Sequence, residues 1–289
     1  MESKRTSVSV VIPAYNEKDS IKSTIRQVQE VLQDYTYEII VVDDGSDDGT
    51  CELSKDQGAK VVQHPHNIGY GRSIKSGITV TEYDTIVIVD ADGTYPIERM
   101  PDLIAEYQKG FNMVVGLRTG KHYWESWLKM PLRIILKFLV EFTAGSKIPD
   151  INSGLRVFSK KDILPYFSHL CGTFSFSTSV TLAYILDGKF ISYIPIKYHK
   201  RSGATKVRML RDSLRTIQYI VQTILYYNPI KLFLCLSVGV LIVSMGLIVA
   251  SAGFQMPWFF LPGYLGVLTS IVIFSIGLLS DLLRQIMIK

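Results

Sequence analysis

Short apolar runs alternate with helical patterns along the first hundred residues of the chain. Four runs indicate strands: Val8–Ile12, Glu38–Val42, Lys60–Gln63 and Ile86–Asp90. From Asp19, apolar residues recur at helical spacing, and a second helical pattern follows the third run as far as Gly77. Strand alternating with helix is the sequence form of a doubly wound α/β fold. The pattern therefore predicts a Rossmann-like, mostly parallel sheet.

The C-terminal part of the chain has a different pattern. Ile230–Gly253 and Trp258–Ser280 are apolar runs whose only charge is Lys231, at the edge of the first. Each is long enough to cross a hydrocarbon core of about 30 Å as a helix. The alternative is a helical hairpin buried in a soluble core. Two adjacent runs of this length favour a membrane domain over 230–289 with two transmembrane helices, 230–253 and 258–280.

Two amphipathic segments lie between these regions. Trp124–Phe142 and Val207–Tyr227 carry apolar residues at helical spacing, with Lys and Arg beside the apolar stripe. This composition suits helices that lie in the headgroup region of a bilayer. The alternative is that these segments are core-facing helices of the globular domain. This alternative has more weight for the first segment than for the second. We therefore expect a catalytic domain over 1–206 that includes an interfacial candidate at 124–142, and an interfacial helix over 207–229.

Charge predicts the orientation in the membrane. Basic residues cluster before the first apolar run and after the second, whereas the connecting loop Phe254–Gly263 has no charge. The positive-inside rule then puts both termini and the N-terminal domain in the cytoplasm. The three cysteines are far apart in sequence and suggest neither a disulfide framework nor a zinc site. The net charge of +5 is modest and suits anionic lipids and phosphates rather than nucleic acid.

Two carboxylates follow the fourth predicted strand. Asp90 and Asp92 stand at the edge of an open α/β sheet, where ligands normally bind. Carboxylate oxygens suit Mg²⁺ or Mn²⁺, and such ions are often held by one or two carboxylates together with substrate phosphates. A solvated acidic turn is the alternative for an isolated motif of this kind. The pattern predicts a metal-assisted nucleoside-diphosphate site.

Other polar residues follow the second and third strands. The acidic loop Asp43–Thr50 is not an EF-hand, because the twelfth position counted from Asp44 is Lys55 rather than a bidentate Glu. A turn at the edge of the sheet in which Asp44 binds a nucleobase is the better interpretation. His64 and His66 flank a proline in the next loop, and we expect both to be surface residues.

With these residues placed, the chain resembles a known family. Its motifs are VVIPAYNE (10–17), VVDDGSDDGT (41–50), HNIGYG (66–71), VDAD (89–92), MVVGLR (113–118), DINSGLRVF (150–158) and IPIKYHKRSGATK (194–206). They resemble the inverting nucleotide-sugar glycosyltransferases of family two, which have the GT-A fold. The second half and the paired apolar runs are similar to polyprenyl-phosphate glycosyltransferases, the group that includes dolichol-phosphate mannose synthase.

The resemblance implies roles for individual residues. The nucleotide side would contain Pro13, Tyr15, Glu17, Asp44 and Asp90, and the metal would be held by Asp90 and Asp92. The catalytic positions would be Asp92, Arg118, Asp150 and Arg156, and the acceptor phosphate would be bound by Ser153, Arg156, Arg201 and Lys206. Asp150 would orient the nucleophile or an arginine, with a cap or turn role as the alternative. One departure is Thr94, where the mannose synthases commonly carry glutamine close to the metal.

The chemistry itself limits what the site needs. A lipid phosphate has a second pKa of about 6 by analogy with phosphorylated side chains, so it is mostly dianionic at neutral pH. Such an acceptor needs cations to position it rather than a strong general base, and Arg offers a bidentate fork. The expected reaction is transfer of a hexose from a UDP- or GDP-sugar to dolichyl or undecaprenyl phosphate, with inversion.

Two other functions remain open from the sequence. A polysaccharide synthase of the same fold would use a carbohydrate acceptor, but such enzymes usually carry a QxxRW-type motif that this chain lacks. A catalytically silent membrane scaffold is the other alternative, and the retained Asp44, Asp90 and Asp92 argue against it. The expected partners are the nucleotide-sugar donor, the polyprenyl phosphate lipid and the membrane, with a homo-oligomer left open.

Overall fold

A computed structural model describes residues 6–119, 141–142, 144–173, 175–199, 218, 221–222, 225–226, 228–253 and 257–287. The chain divides into two compact units. One consists of residues 1–138 and 146–219, and the other of residues 139–145 and 220–289. The two expected interfacial segments lie almost entirely outside the described residues.

The first unit is built on one seven-stranded sheet. Its strands are β1 (Ser7–Ala14), β2 (Thr36–Asp43), β3 (Lys60–Gln63), β4 (Thr85–Ile88), β5 (Met113–Thr119), β6 (Arg156–Ser159) and β7 (Ile191–Lys197). The order across the sheet is β3-β2-β1-β4-β6-β5-β7. The four strands predicted from the apolar runs are β1 to β4, so the predicted α/β class with a mostly parallel sheet is confirmed.

One strand runs against the others. β6 lies between β4 and β5 and is antiparallel to both, with Arg156 opposite Ile88 on one side and Val115 on the other. Its amino end therefore lies at the edge where β4 and β5 have their carboxyl ends. This reversal brings residues 150–155 to the same edge of the sheet as Asp90 and Asp92, although some 60 residues of sequence separate the two segments.

Helices follow the strands as the apolar spacing predicts. They are α1 (Lys18–Val31), α2 (Thr50–Asp56), α3 (Tyr70–Thr79), α4 (Met100–Tyr107), α5 (Lys160–Ile163) and α6 (Phe176–Leu186). α1 buries Ile21, Ile25 and Val28, which are three or four residues apart and so share one face. α3 packs very closely on the sheet: a Cβ at Gly77 would lie 2.5 Å from Val11 Cγ1. Only glycine permits that approach.

The second unit contains two long helices, α7 (Pro229–Gly253) and α8 (Phe260–Met287). At 1.5 Å per residue the 25 residues of α7 span about 37 Å, more than the hydrocarbon core of a bilayer. The helices approach through small residues, since a Cβ at Gly266 would lie 2.1 Å from Ser244 Oγ. Only 11% of the 18-residue apolar stretch of each helix is buried, whereas a helix in the core of a soluble protein is mostly buried. The prediction of two C-terminal helices able to span a membrane is confirmed.

Candidate active site

Three strand ends and one strand start meet at the carboxyl edge of the sheet. β1 ends at Ala14 and β2 ends beside it at Asp43, with these two residues in register. β4 leads into Asp90 and Asp92, and the segment before β6 returns to the same edge. Side chains from four separate stretches of sequence therefore surround one region, as expected for ligand binding in an open α/β sheet.

The loops after β1 and β2 are joined by hydrogen bonds. Asn16, which has a φ of +52°, donates its N–H to Ser46 Oγ (2.9 Å), and its Oδ1 accepts from the Asp47 N–H (3.0 Å). The Glu17 N–H donates to Thr50 Oγ1 (2.9 Å). Of the predicted nucleotide-side residues, Pro13 is buried within β1, while Tyr15 and Glu17 are half-buried in this joined loop. The structure thus brings them beside the acidic loop.

Asp44 holds the loop that follows β3. Its carboxylate accepts hydrogen bonds from the N–H groups of Ile68 (3.0 Å) and Gly69 (2.9 Å), and the His64 ring Nδ1 lies 2.8 Å from Oδ1. A carboxylate has about four acceptor sites, so three of them face the protein in this arrangement. Direct binding of a nucleobase by Asp44 stays a prediction.

The expectation of surface histidines is wrong for His64. Its ring lies between Asp44 Oδ1 and Ser76 Oγ (3.0 Å from Nε2), and only 11% of its side chain is exposed. His66 is exposed, as expected. The sequence could not reveal this difference, because Ser76 is on α3 and Asp44 follows β2; the contact exists only after the strands have aligned.

Asp43 is a candidate that the sequence reasoning missed. It is fully buried, and its Oδ1 accepts from the Ser46 N–H (3.3 Å). Its Oδ2 has no hydrogen-bond partner among the residues that the structure describes. An unsatisfied buried carboxylate oxygen is costly, which makes Asp43 a candidate for contact with a ligand group. The available signal was its position as the first of two adjacent aspartates at the end of a strand.

Asp90 and Asp92 each accept a hydrogen bond from a hydroxyl group. Asp90 Oδ1 accepts from the Tyr70 hydroxyl (2.7 Å), and Asp92 Oδ1 accepts from the Thr94 hydroxyl (2.6 Å) and the Thr94 N–H (3.1 Å). Thr94 therefore orients the second carboxylate, at the position where the mannose synthases carry glutamine. Burial and the charge of Asp90 raise the pKa of Tyr70 well above its ordinary value, so its hydroxyl stays protonated and donates.

The donor set fits a hard divalent cation. A Cβ at Gly154 would lie 2.5 Å from Asp90 Oδ2, so the glycine leaves room for this carboxylate. Among the described residues, no group of three or more His, Cys, Asp or Glu side chains converges on one point. Two carboxylates with remaining positions for phosphate and water are what Mg²⁺ usually takes in nucleotide sites. Asp90 and Asp92 therefore fit a metal that also needs a diphosphate.

Arg118 and Asp150 form a bidentate ion pair. Arg118 Nε lies 2.8 Å from Asp150 Oδ2, and Nη2 lies 2.8 Å from Oδ1. The Asn152 N–H also donates to Asp150 Oδ1 (3.0 Å). Burial alone would raise the pKa of Asp150, but the hydrogen bonds and charge of Arg118 outweigh it and lower the pKa. Asp150 is thus an ionised partner of an arginine, and the Asn152 N–H contact also fits the turn role that was the alternative.

Two aromatic rings lie between this ion pair and the turn that carries Asp92. The Arg118 guanidinium lies 5.5 Å from the centre of the Tyr198 ring, which meets the Tyr95 ring edge-on at 5.3 Å. The Tyr95 hydroxyl oxygen accepts from the Gly154 N–H (2.6 Å). Tyr95 was not predicted as a site residue, although its place three residues after Asp92 was the available signal. Through these contacts the structure brings together Arg118, Asp150 and the turn that carries Asp92.

Arg156 has surroundings that differ from the expected ones. Its guanidinium is fully buried and donates to the carbonyl oxygens of Ser153 (2.7 Å) and Ile151 (3.0 Å) and to Thr181 Oγ1 (2.7 Å). Burial lowers its pKa. This geometry favours a positioning role for Arg156, which holds residues 151–153 against α6, over the direct phosphate contact expected from the sequence.

Of the remaining residues predicted on the acceptor side, only Ser153 is among the described residues. Ser153 is buried, and its Oγ has no hydrogen-bond partner among the described residues. It lies next to Gly154 and so close to the Asp90 carboxylate. Arg201 and Lys206 lie outside the described residues.

Comparison with known proteins identifies the family. A family model for glycosyl transferase family 2 matches residues 9–167, more than half of the 289 residues. The chain belongs to glycosyl transferase family 2. The family-2 region includes most of β1, all of β2 to β6, the acidic loop, Asp90, Asp92 and the Arg118–Asp150 pair. The family and the glycosyltransferase class predicted from the motifs are confirmed.

Curated relatives extend the similarity of this family-2 chain beyond that region. It is 27% identical over 258 residues to the undecaprenyl-phosphate 4-deoxy-4-formamido-L-arabinose transferases of Salmonella choleraesuis (strain SC-B67) and Salmonella newport (strain SL254). The alignment covers 86% of this chain and 74% of each relative.

Solved structures agree on the fold. Glucosyl-3-phosphoglycerate synthase from Mycobacterium tuberculosis, in complex with phosphoglyceric acid, superposes on the family-2 chain with a TM-score of 0.63 at 20% identity. The complex of the same enzyme with Mn²⁺, UDP-glucose and phosphoglyceric acid superposes with a TM-score of 0.63 at 19% identity. Each covers 76% of this chain and 80% of the other. The predicted GT-A fold is confirmed.

Proposed function

We propose that this family-2 glycosyltransferase transfers a sugar from a nucleotide-sugar donor to a polyprenyl phosphate in a membrane. The observation that carries the proposal is the Arg118–Asp150 ion pair, which is linked through Tyr198 and Tyr95 to the turn that carries Asp92. Asp150 takes two of the five N–H donors of the Arg118 guanidinium, and a guanidinium held in a fixed orientation suits an anionic acceptor. The relatives named as undecaprenyl-phosphate transferases and the helices α7 and α8 support a lipid phosphate.

The donor is proposed to bind along the loops after β1, β2 and β4. Pro13, Tyr15 and Glu17 would shape the nucleotide side, Asp44 would contact the base, and Asp43 lies beside the end of β1. Asp90 and Asp92 would hold Mg²⁺ or Mn²⁺, which would neutralise charge on the departing nucleoside diphosphate. Mn²⁺ with UDP in a structural neighbour supports a divalent ion and a nucleotide-sugar donor, which is UDP- or GDP-linked in this proposal.

The acceptor phosphate is proposed to act without a strong general base. Asp150 is committed to Arg118, which it keeps in place as an ionised partner. Arg118, together with Arg201 and Lys206, would position the dianionic phosphate, and Arg156 and Ser153 would shape the surrounding loop. The phosphate oxygen attacks the anomeric carbon as the bond from that carbon to the diphosphate oxygen breaks. One displacement gives a polyprenyl-phosphate sugar of inverted configuration and a free nucleoside diphosphate.

The membrane arrangement forms part of the same proposal. In this proposal residues 1–206 act as the catalytic domain and residues 230–289 as the membrane domain, while the interfacial role expected for residues 207–229 falls almost entirely outside the described residues. The basic residues that flank the apolar runs support cytoplasmic termini and a cytoplasmic donor.

A substrate panel tests this function. The full chain, purified in lipid nanodiscs, is supplied with Mn²⁺, a UDP- or GDP-linked hexose or pentose, and undecaprenyl or dolichyl phosphate. We expect one donor to give a charged sugar lipid that mass spectrometry detects as a monophosphate. Transfer to an oligosaccharide with none to the lipid phosphates would contradict the proposal and favour a polysaccharide synthase.

A further inference from the structure

The contact between Tyr70 and Asp90 joins two separate elements of the site. Tyr70 is the first residue of α3, and Asp90 follows β4. The hydroxyl-to-Oδ1 distance of 2.7 Å is that of a charge-assisted hydrogen bond. It orients one of the two carboxylates proposed to hold the metal, as Thr94 orients the other.

The backbone beside Tyr70 is fixed from two sides. Asp44 accepts hydrogen bonds from the N–H groups of Ile68 and Gly69, the two residues that precede Tyr70. On the other side, a Cβ at Gly71 would lie 2.4 Å from the Cys171 carbonyl oxygen, so the helix start presses against that segment. Gly69 has a φ of +109°, which only glycine adopts readily and which turns the chain into α3. The backbone that carries the Tyr70 side chain is therefore held on both sides.

Asp90 also lies close to the backbone of Gly154. Its Oδ2 lies where a side chain at residue 154 would be, 2.5 Å from the Cβ that Gly154 lacks. The Gly154 N–H is itself held by the Tyr95 hydroxyl (2.6 Å). The carboxylate thus contacts a hydroxyl donor from α3 and lies close to the backbone segment that precedes β6.

We propose that Tyr70 is a positioning residue for the metal–diphosphate site, and that it couples the nucleotide-side loop held by Asp44 to the carboxylate of Asp90. The inference rests on the proposed function, because it assumes that Asp90 and Asp92 hold a metal with a nucleoside diphosphate. Partners that orient a metal ligand typically change metal affinity by about 10- to 100-fold when they are removed. Tyr70 acts through Asp90 and does not itself need to touch the substrate.

The substitution Tyr70→Phe removes only the hydroxyl. We expect it to weaken the binding of Mn²⁺ by about 10-fold or more in the presence of UDP or GDP. The measurement is electron paramagnetic resonance of free Mn²⁺, titrated into the full chain in detergent with each nucleotide. It needs no turnover. The melting temperature without metal shows whether the variant is folded.

Tyr184→Phe is the matched control. The Tyr184 hydroxyl is also buried, but it has no hydrogen-bond partner among the described residues, and it lies on α6. Its removal should leave the Mn²⁺ affinity within about twofold of the wild type. A third variant, Asp90→Asn, and its combination with Tyr70→Phe complete a double-mutant cycle. Because the hydroxyl acts through Asp90, adding Tyr70→Phe to Asp90→Asn should cause little further loss.

Unchanged Mn²⁺ affinity in Tyr70→Phe would overturn the inference, even if the melting temperature fell. Equal losses in Tyr70→Phe and Tyr184→Phe would also overturn it, as would additive losses in the cycle. These outcomes differ from a failure of the proposed function. If the wild type bound no Mn²⁺ with either nucleotide and transferred no sugar, the proposed function would fail before the variants were compared.

Discussion

Asp150 is almost fully buried, and both of its oxygens pair with the guanidinium of Arg118 at 2.8 Å. Removal of one partner of a buried pair leaves the other charge uncompensated, which costs about 3–5 kcal/mol. The pair joins the end of β5 to the segment before β6, so it supports both the fold at this edge and the position of the arginine.

Asp150→Asn should therefore lower both the stability and the turnover. We expect the free energy of unfolding of the catalytic domain to fall by about 3 kcal/mol, because Arg118 loses its charged partner. The pKa of Asp150 is lowered in the folded state, so the contribution of the pair is complete above the ordinary carboxyl pKa of about 3.9 and is lost as the pH falls through the folded value. Urea unfolding of the wild type and of Asp150→Asn from pH 3 to pH 8 measures the difference in their free energies of unfolding. If that difference became larger towards low pH, the prediction would be contradicted.

Asp92→Ala should abolish turnover while the protein stays folded. The substitution removes one of the two carboxylates proposed to hold the metal, and excess chelator should have the same effect on the wild type. Sugar transfer and the melting temperature are measured side by side. The account of the metal fails if the wild type keeps full activity in excess chelator.

Thr94 provides a finer test of the same carboxylate. Thr94→Val removes the hydroxyl that donates to Asp92 Oδ1 and keeps the shape of the side chain, whereas Thr94→Ser retains the hydroxyl. We expect the apparent Mn²⁺ constant for turnover to rise by about 10-fold in the valine variant and to change little in the serine variant. Identical constants in the two variants would show that the Thr94 hydroxyl does not orient Asp92.

Cysteine labelling tests the orientation in the membrane. With Cys235 changed to serine, a cysteine at position 255 should react with a membrane-impermeant thiol reagent in intact cells, and a cysteine at position 289 should react only after lysis. Cys51 and Cys171 are buried and should contribute little background. The reverse labelling pattern would contradict a cytoplasmic donor site.

The sequence alone predicted those features of the fold and the site that depend on local pattern. The apolar runs give β1 to β4, and the acidic residues at their ends give the candidate nucleotide and metal positions. Because each strand points its carboxyl end to the same edge, Asp44 and Asp90 could be expected to lie near each other without knowledge of any contact.

The remaining features depend on how distant segments close on one another. Arg156 looks like a phosphate ligand in the sequence, but the antiparallel insertion of β6 buries it against Thr181 and two carbonyl groups. The pairing of His64 with Asp44 and the hydrogen bond from Tyr70 to Asp90 likewise join residues about 20 positions apart. No periodicity encodes these contacts, because they are set by the packing of α3 on the sheet.

The dependence of transfer on the acceptor phosphate tests the central claim most directly. The wild type in nanodiscs is given its preferred sugar nucleotide and either a polyprenyl phosphate or the matching polyprenol, and the anomeric configuration of the product is determined by NMR spectroscopy. We predict a polyprenyl-phosphate sugar of inverted configuration and no transfer to the alcohol. Equal transfer to the alcohol, or a product of retained configuration, would contradict the account.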